Sequence, residues 1–443
     1  MSATELGPAF FLSVVVILLV CQLVGRLLRF AGQPPVVGEM VAGVVLGPSV
    51  LGLAAPGVEK WLFPEELRPI LYVVGQVGLV IFMFLAGYEF HTGRIKRVLR
   101  PALTVSAVGS LAPLALGVGL TCLLRNSDNM FPEGVSLTVS ALFVGVTLAI
   151  TAFPMLARII TERGLTGTRF GSLSLAAGAL DDAVAWVLLA AVLSIAGASL
   201  STFLLALLGS VGLVVLLVML TRIRRHAERL AERARPDAVL LGVVVVLFLA
   251  AWYTDRIGLY AVFGAFSLGV VFPRTPPVAR AVESIAPISR IVFLPLFFTY
   301  SGLNTDIGLL SDPGVLLFAA CCVVLAIVGK FGGCWGAARV AGESPGVALR
   351  VGTLMNARGL MQLIAINVGL SAGITTPAMF TVLVLVALVT TVMASPLLTL
   401  WDRLDRRRGV SDAESLGVEE AEGGAAGPGR PDGTEPQTAG AAV

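Results

Sequence analysis

Charge, histidine and paired cysteine are scarce in this 443-residue chain, and each scarcity removes a class of function. Charged residues make up 13%, where an ordinary soluble domain carries roughly 25%. A water-soluble globule is therefore a poor description. His91 and His226 are the only histidines, which argues against a histidine-built metal or catalytic centre. Cys21, Cys122, Cys321, Cys322 and Cys334 show neither metal-ligand spacing nor a paired extracellular set. They read as small helix-packing residues. No Gly-rich nucleotide fingerprint follows a strand, so no cofactor is implied. No nucleophile–base pair lies outside the apolar segments, and the chain does not read as an enzyme. The net charge of +3 suggests no nucleic-acid partner.

What the chain has in abundance is apolar length. Hydrophobic residues make up 56%, in successive runs long enough to cross a bilayer as helices. The pattern predicts thirteen spans: 9–29, 34–53, 69–90, 101–124, 134–160, 170–197, 199–221, 237–254, 257–273, 287–304, 314–338, 345–370 and 376–401. The fold class is an all-α polytopic membrane protein. Residues 1–8 contain no Lys or Arg, so the first run lacks the basic flank of a cleavable signal and is expected to be a retained helix. Basic residues are asymmetric. With the N-terminus outside, the outer loops hold only Lys60, Arg68, Arg125 and Arg256. The inner side holds Arg94, Lys96, Arg97, Arg100 and six arginines within 222–235. That bias predicts N-terminus out and C-terminus in, at the plasma membrane. The arginine run reads as a solvated loop beside anionic lipid. Residues 1–408 are expected to form one transmembrane domain. Residues 409–443, rich in Gly, Ala, Glu and Pro, are expected to form a disordered cytosolic tail.

Two pairs of segments resemble each other seven spans apart. Gly38-Glu39-Met40-Val41-Ala42-Gly43-Val44-Val45 resembles Gly264-Ala265-Phe266-Ser267-Leu268-Gly269-Val270-Val271. Residues 82–94 resemble residues 297–307. An odd shift makes matched helices run in opposite directions, the mark of inverted-topology repeats in secondary transporters. The same shift maps the fifth span onto the twelfth, and both are interrupted. The fifth holds Thr151-Ala152-Phe153-Pro154, where Pro removes a backbone donor; the twelfth holds Asn356-Ala357-Arg358-Gly359. Broken helices in matching positions expose half-helix dipoles and free carbonyls, and they point to the binding site.

Clear ionisable residues inside the spans are few: Glu39, Asp181, Asp182, Lys330 and Arg358. Carboxylates in hydrocarbon cost several kcal/mol and persist mainly where they carry ions or protons. Adjacent helical residues point about 100° apart, so Asp181 and Asp182 face different surroundings. One is expected to take a cationic partner, with Lys330 the candidate, and the other to face a cavity. Snorkelling of Lys330 to the cytosolic interface is the alternative. Arg358 is expected to compensate backbone carbonyls and the negative half-helix end, or to pair with Glu39. Glu39 is either a core acid or a loop-facing one. Glu89 and Asp306 read as interfacial caps. Desolvation penalises an ionised carboxylate, so near neutral pH a partly buried Asp can hold a proton or a cation. Mutual exclusion at one acid couples cation movement to opposing proton movement. One of the two acids is the hypothesised shared site, its neighbour the partner that leaves Lys330 when the cation enters, and Thr151 a source of further oxygens. Helix geometry alone does not assign the two acids.

These segments resemble the monovalent cation:proton antiporters of the second branch, which include bacterial sodium/proton antiporters and plant cation/proton exchangers. The resemblance rests on Gly38-Glu39-Met40 through Gly47-Pro48-Ser49, Phe82-Met83-Phe84-Leu85-Ala86-Gly87-Tyr88-Glu89 and Ile150-Thr151-Ala152-Phe153-Pro154-Met155-Leu156-Ala157-Arg158. Asp181-Asp182, Leu294-Pro295-Leu296-Phe297-Phe298 with Ser301-Gly302-Leu303, Lys330-Phe331-Gly332 and Met355-Asn356-Ala357-Arg358-Gly359-Leu360 complete it. It implies a six-helix core with crossed broken helices, moving in an elevator-like manner against a dimerisation domain, and hence a homodimer. It also implies that Asp182 binds the ion, with Asp181 and Lys330 as companions. Asp at 181 resembles the electrogenic sodium/proton type, whereas the stretches around Phe153 and Arg358 resemble potassium-handling members. The reading is therefore Na⁺ or K⁺ exchanged for H⁺. A channel or ion-gated sensor, or a carrier of an organic solute, would use the same acids differently.

Overall fold

The computed structural model describes residues 3–89, 98–124, 130–165, 167–197, 200–257 and 260–407, which are helical with no strand among them. The chain opens with α1 (Ala3–Phe30), α2 (Pro35–Leu46), α3 (Pro56–Leu62), α4 (Arg68–Glu89) and α5 (Leu99–Leu123). It continues through α6 (Leu137–Ala149), α7 (Phe153–Glu162), α8 (Arg169–Ala196), α9 (Leu200–Arg233), α10 (Pro236–Arg256) and α11 (Ala261–Val271). The last elements are α12 (Pro276–Ile288), α13 (Leu294–Leu303), α14 (Pro313–Ile327), α15 (Gly333–Val340), α16 (Pro345–Met355), α17 (Leu360–Ser371) and α18 (Pro377–Arg407). Each of the thirteen predicted spans falls on a helix or on a pair of consecutive helices. Nine helical stretches among the described residues are long and apolar enough to cross a membrane, and three shorter apolar helices accompany them. The tail at 409–443, the bases Arg94, Lys96, Arg97 and Arg125, and the end of the 82–94 repeat lie outside the described residues.

Helix starts follow local chemistry. Ser136, Thr168, Asp312 and Ser344 each accept a bond from a backbone N–H in the first turn of α6, α8, α14 and α16, satisfying donors that no earlier turn can reach. Proline opens α2, α10, α12, α14 and α16, where its missing N–H costs nothing. Asp306 caps the short helix Ile307–Ser311, and Glu89 pairs with Arg290 at the surface, 3.1 Å apart.

One expectation is corrected. The arginine run at 222–235 is helix rather than loop: α9 continues unbroken to Arg233, over 34 residues. Ala, Leu, Glu and Arg favour helix, residues 222–235 contain no Gly or Pro, and Arg224 pairs with Glu228 one turn on at 2.8 Å. At 1.5 Å per residue α9 reaches about 51 Å, well beyond the roughly 30 Å of hydrocarbon. Its basic end projects past the apolar zone.

The matched segments pack reciprocally. Gly43 of α2 abuts the backbone at Phe298 and Thr299 of α13, and Gly302 of α13 abuts Gly43 in return. Gly87 of α4 abuts Phe266 of α11, while Gly269 of α11 abuts Phe84 and Gly87. A side chain at either contact would enter the facing main chain. These helices form one side of the molecule. On the other, α5, α6, α8 and α14 to α18 enclose the buried charges.

Candidate functional site

Two interrupted helices cross at the centre of that second side. The first breaks between α6 and α7, at residues 150–152, and the second between α16 and α17, at residues 356–359. The backbone N–H of Ala152 donates to the carbonyl of Ala357 at 3.4 Å, joining the breaks directly. Gly359 adopts φ 152°, a conformation open mainly to glycine, and this lets the chain re-enter helix at once. Each break leaves helix ends with unpaired groups and partial charges.

Buried cations meet the negative ends. Lys330 donates to the carbonyl of Ala149, the last residue of α6, at 2.6 Å. Arg358 donates to Thr147 O of α6 at 3.5 Å and to Ala326 O of α14 at 3.2 Å. Thr391 of α18 clamps the Arg358 backbone, accepting from its N–H at 3.2 Å and donating to its carbonyl. Both cations are fully buried. Lys330 sits in a π-helical turn, Val328–Gly332, between α14 and α15. Gly329 and Gly333 bring that turn against Pro113 and Ala112 of α5.

The two aspartates of α8 have opposite surroundings. Oδ2 of Asp181 accepts from Lys330 Nζ at 2.7 Å and from Thr151 Oγ1 at 2.7 Å. Its Oδ1 accepts from Ser106 Oγ at 2.5 Å and Ser110 Oγ at 3.0 Å. Asp182 is 2% exposed, and neither of its oxygens completes a hydrogen bond among the described residues. The backbone N–H of Phe153, at the positive start of α7, faces it. One acid is thus saturated by four donors and its neighbour is held against a helix end with acceptor capacity to spare.

Asp181, Asp182, Thr151, Lys330 and Arg358 therefore come together at the crossing. Glu39 does not. It lines a cavity with Arg26, Arg29 and Arg290, between α1, α2 and the turn before α13. The ionisable pattern did not single out Ser106 and Ser110, whose signal is a polar pair four residues apart in an apolar helix. Nor did it single out Arg350, buried inside the twelfth span. Arg350 pairs with Asp402 at 2.8 Å and Asp405 at 2.9 Å, over the Phe170 ring at 5.6 Å, and so ties α16 and α8 to the end of α18.

Buried carboxylates and cations, balanced where two broken helices cross inside a many-helix membrane protein, define a secondary transporter of small cations. The chain belongs to the sodium/hydrogen exchanger family, whose transmembrane domain matches residues 15–401, and this places it among the cation/proton antiporters. It is 36% identical over 393 residues to the Na(+)/H(+) antiporter NhaS4 of Synechocystis, covering 87% of this chain and 95% of that one. It is 34% identical to Cation/H(+) antiporter 17 of Arabidopsis thaliana and 32% identical to K(+)/H(+) antiporter 1 of Saccharomyces cerevisiae. These alignments cover 88% and 93% of this chain but 48% of each relative, so it spans about half the length of both. The sodium proton antiporter MjNhaP1 of Methanocaldococcus jannaschii shares the fold, with a TM-score of 0.62 at 16% identity, over 92% of this chain and 100% of that one.

Proposed function

We propose that the protein exchanges Na⁺ or K⁺ for H⁺ across the plasma membrane, with proton and cation competing for Asp182. The observation that carries this reading is the unsatisfied, buried carboxyl of Asp182 at the helix crossing. A buried carboxylate faced only by one backbone N–H, that of Phe153, and lacking side-chain donors is stable there when a proton or a cation occupies it. Thr151 gives its hydroxyl proton to Asp181 and keeps oxygen acceptor capacity for the ion. Asp181 and Lys330 form the companion pair, and Arg358 compensates the carbonyl ends beside them. Residues 1–408 act as the transport unit, with the N-terminus outside and 409–443 as a cytosolic tail. The glycine-lined helices α2, α4, α11 and α13 belong to a static dimer scaffold, against which the crossing moves as an elevator. The sodium- and potassium-named relatives both support a monovalent cation and leave the choice to experiment.

Everted vesicles loaded with the protein are the test. Adding Na⁺, K⁺, Li⁺ or Rb⁺ in parallel should dissipate an imposed pH gradient saturably. Cation current without obligatory proton flux would instead identify a channel. Silence toward every alkali cation, with uptake of a labelled organic solute, would identify a different carrier.

A further inference from the structure

We infer that Ser106 and Ser110 set which cation the site accepts, by holding Asp181 away from the ion that Asp182 binds. The inference rests on the reading of Asp182 as the shared site and extends it to α5. The two serines lie one turn apart on α5, so their hydroxyls leave the same helix face. Both are buried and both donate to the same atom, Oδ1 of Asp181, at 2.5 and 3.0 Å. Lys330 and Thr151 occupy Oδ2. Four donors fill the carboxylate and fix its rotation, with one oxygen on α5 and the other at the crossing.

The consequence is electrostatic. An ion at Asp182 meets one carboxylate plus neutral oxygens while the serines hold its neighbour. Without their charge-assisted bonds, Oδ1 of Asp181 is a buried anionic oxygen lacking donors, and an ion at the adjacent acid is the group able to replace them. The site then presents two carboxylates. Small ions lose more hydration on entering and need ligands of stronger field to recover it. A second carboxylate therefore favours Li⁺ and Na⁺ over K⁺ and Rb⁺. The serines are positioning residues that keep the field weak enough for larger ions to compete.

The decisive comparison uses Ser106→Ala/Ser110→Ala, with Ser106→Thr/Ser110→Thr retaining the hydroxyls. Half-saturation by Na⁺ and K⁺ is read twice, from exchange in vesicles and from cation-dependent thermal stabilisation of purified protein. In the double alanine variant the K⁺ to Na⁺ ratio of half-saturating concentrations should rise about fivefold or more, and in the threonine variant it should stay within about twofold. An unchanged ratio, or an equal change for every cation as a merely structural role would give, overturns the inference. If the double variant does not fold, Ser106→Ala alone, which removes the shorter bond, should raise the ratio in the same direction by a smaller factor, and no rise there overturns the inference. If the unaltered protein is stabilised by cations but exchanges no protons, the antiport reading fails while the stabilisation ratios still decide the role of the serines.

Discussion

Removing the ammonium of Lys330 should destabilise this protein more than any surface charge change. Lys330 is 0% and Asp181 1% exposed, with Nζ 2.7 Å from Oδ2. Breaking a buried pair by deleting one partner costs about 3–5 kcal/mol, because the remaining charge is stranded in low dielectric. Three hydroxyl donors stay on Asp181 in Lys330→Ala, which places the loss near the lower end. The Ala149 carbonyl also loses its partner, adding about 1 kcal/mol. A total near 4 kcal/mol, spread over roughly 400 folded residues at about 2.1 cal/mol/K each, lowers the melting temperature by about 5 °C. Thermal unfolding in detergent, followed by loss of the monodisperse peak, measures it. Asp181→Asn in the Lys330→Ala background should recover part of the loss, since it removes the stranded charge and keeps an acceptor. A single variant as stable as the parent, or a double variant no better than the single, would mean that this pair is not a desolvated, mutually dependent unit.

Asp182→Asn should abolish cation-driven dissipation of a pH gradient while leaving the melting temperature unchanged or higher, because no side-chain donor is stranded and the amide oxygen still faces the Phe153 N–H; retained exchange would sink the assignment. Gly302→Ala drives a Cβ into the main chain of Gly43 and should cost about 1–3 kcal/mol or more, read as lost monodisperse yield. Gly336→Ala, with nothing within 4 Å of the new Cβ, should be neutral or stabilising by up to about 1 kcal/mol. Arg350→Ala should destabilise by about 2 kcal/mol, less than Lys330→Ala, because its partners Asp402 and Asp405 are 41% and 19% exposed and can regain water. A larger melting-temperature loss than for Lys330→Ala contradicts that ranking.

Much of this architecture is written locally. A segment in hydrocarbon must satisfy its own backbone, so apolar length alone predicts helices, and each of the thirteen runs is found as a helix or a broken pair. The interruptions were legible for the same reason, since Pro154 and the Asn356-Ala357-Arg358-Gly359 stretch defeat helix by covalent chemistry or by polarity. Two adjacent acids in one apolar run point to ion chemistry without reference to the fold. The arginine run at 222–235 is the exception: its positive charge suggests a loop, although its residues favour helix and the lipid boundary does not end one.

Contacts between distant residues were not legible. Consecutive aspartates must diverge by about 100°, yet which of them meets Lys330 depends on how α8 is rotated against α5 and α14, a property of packing across the whole second side. Ser106 and Ser110 matter only because that rotation delivers Asp181 to them, 75 and 71 residues away in sequence. Glu39 and Arg358 looked like possible partners in one dimension and stand in different places in three. Where helices form, where they break and that acids lie buried among them can be read from residue order, because those outcomes follow from each residue's own cost in lipid. Which charge faces which emerges from the packing of separate helices, because electrostatic partnership depends on the distance between their side chains.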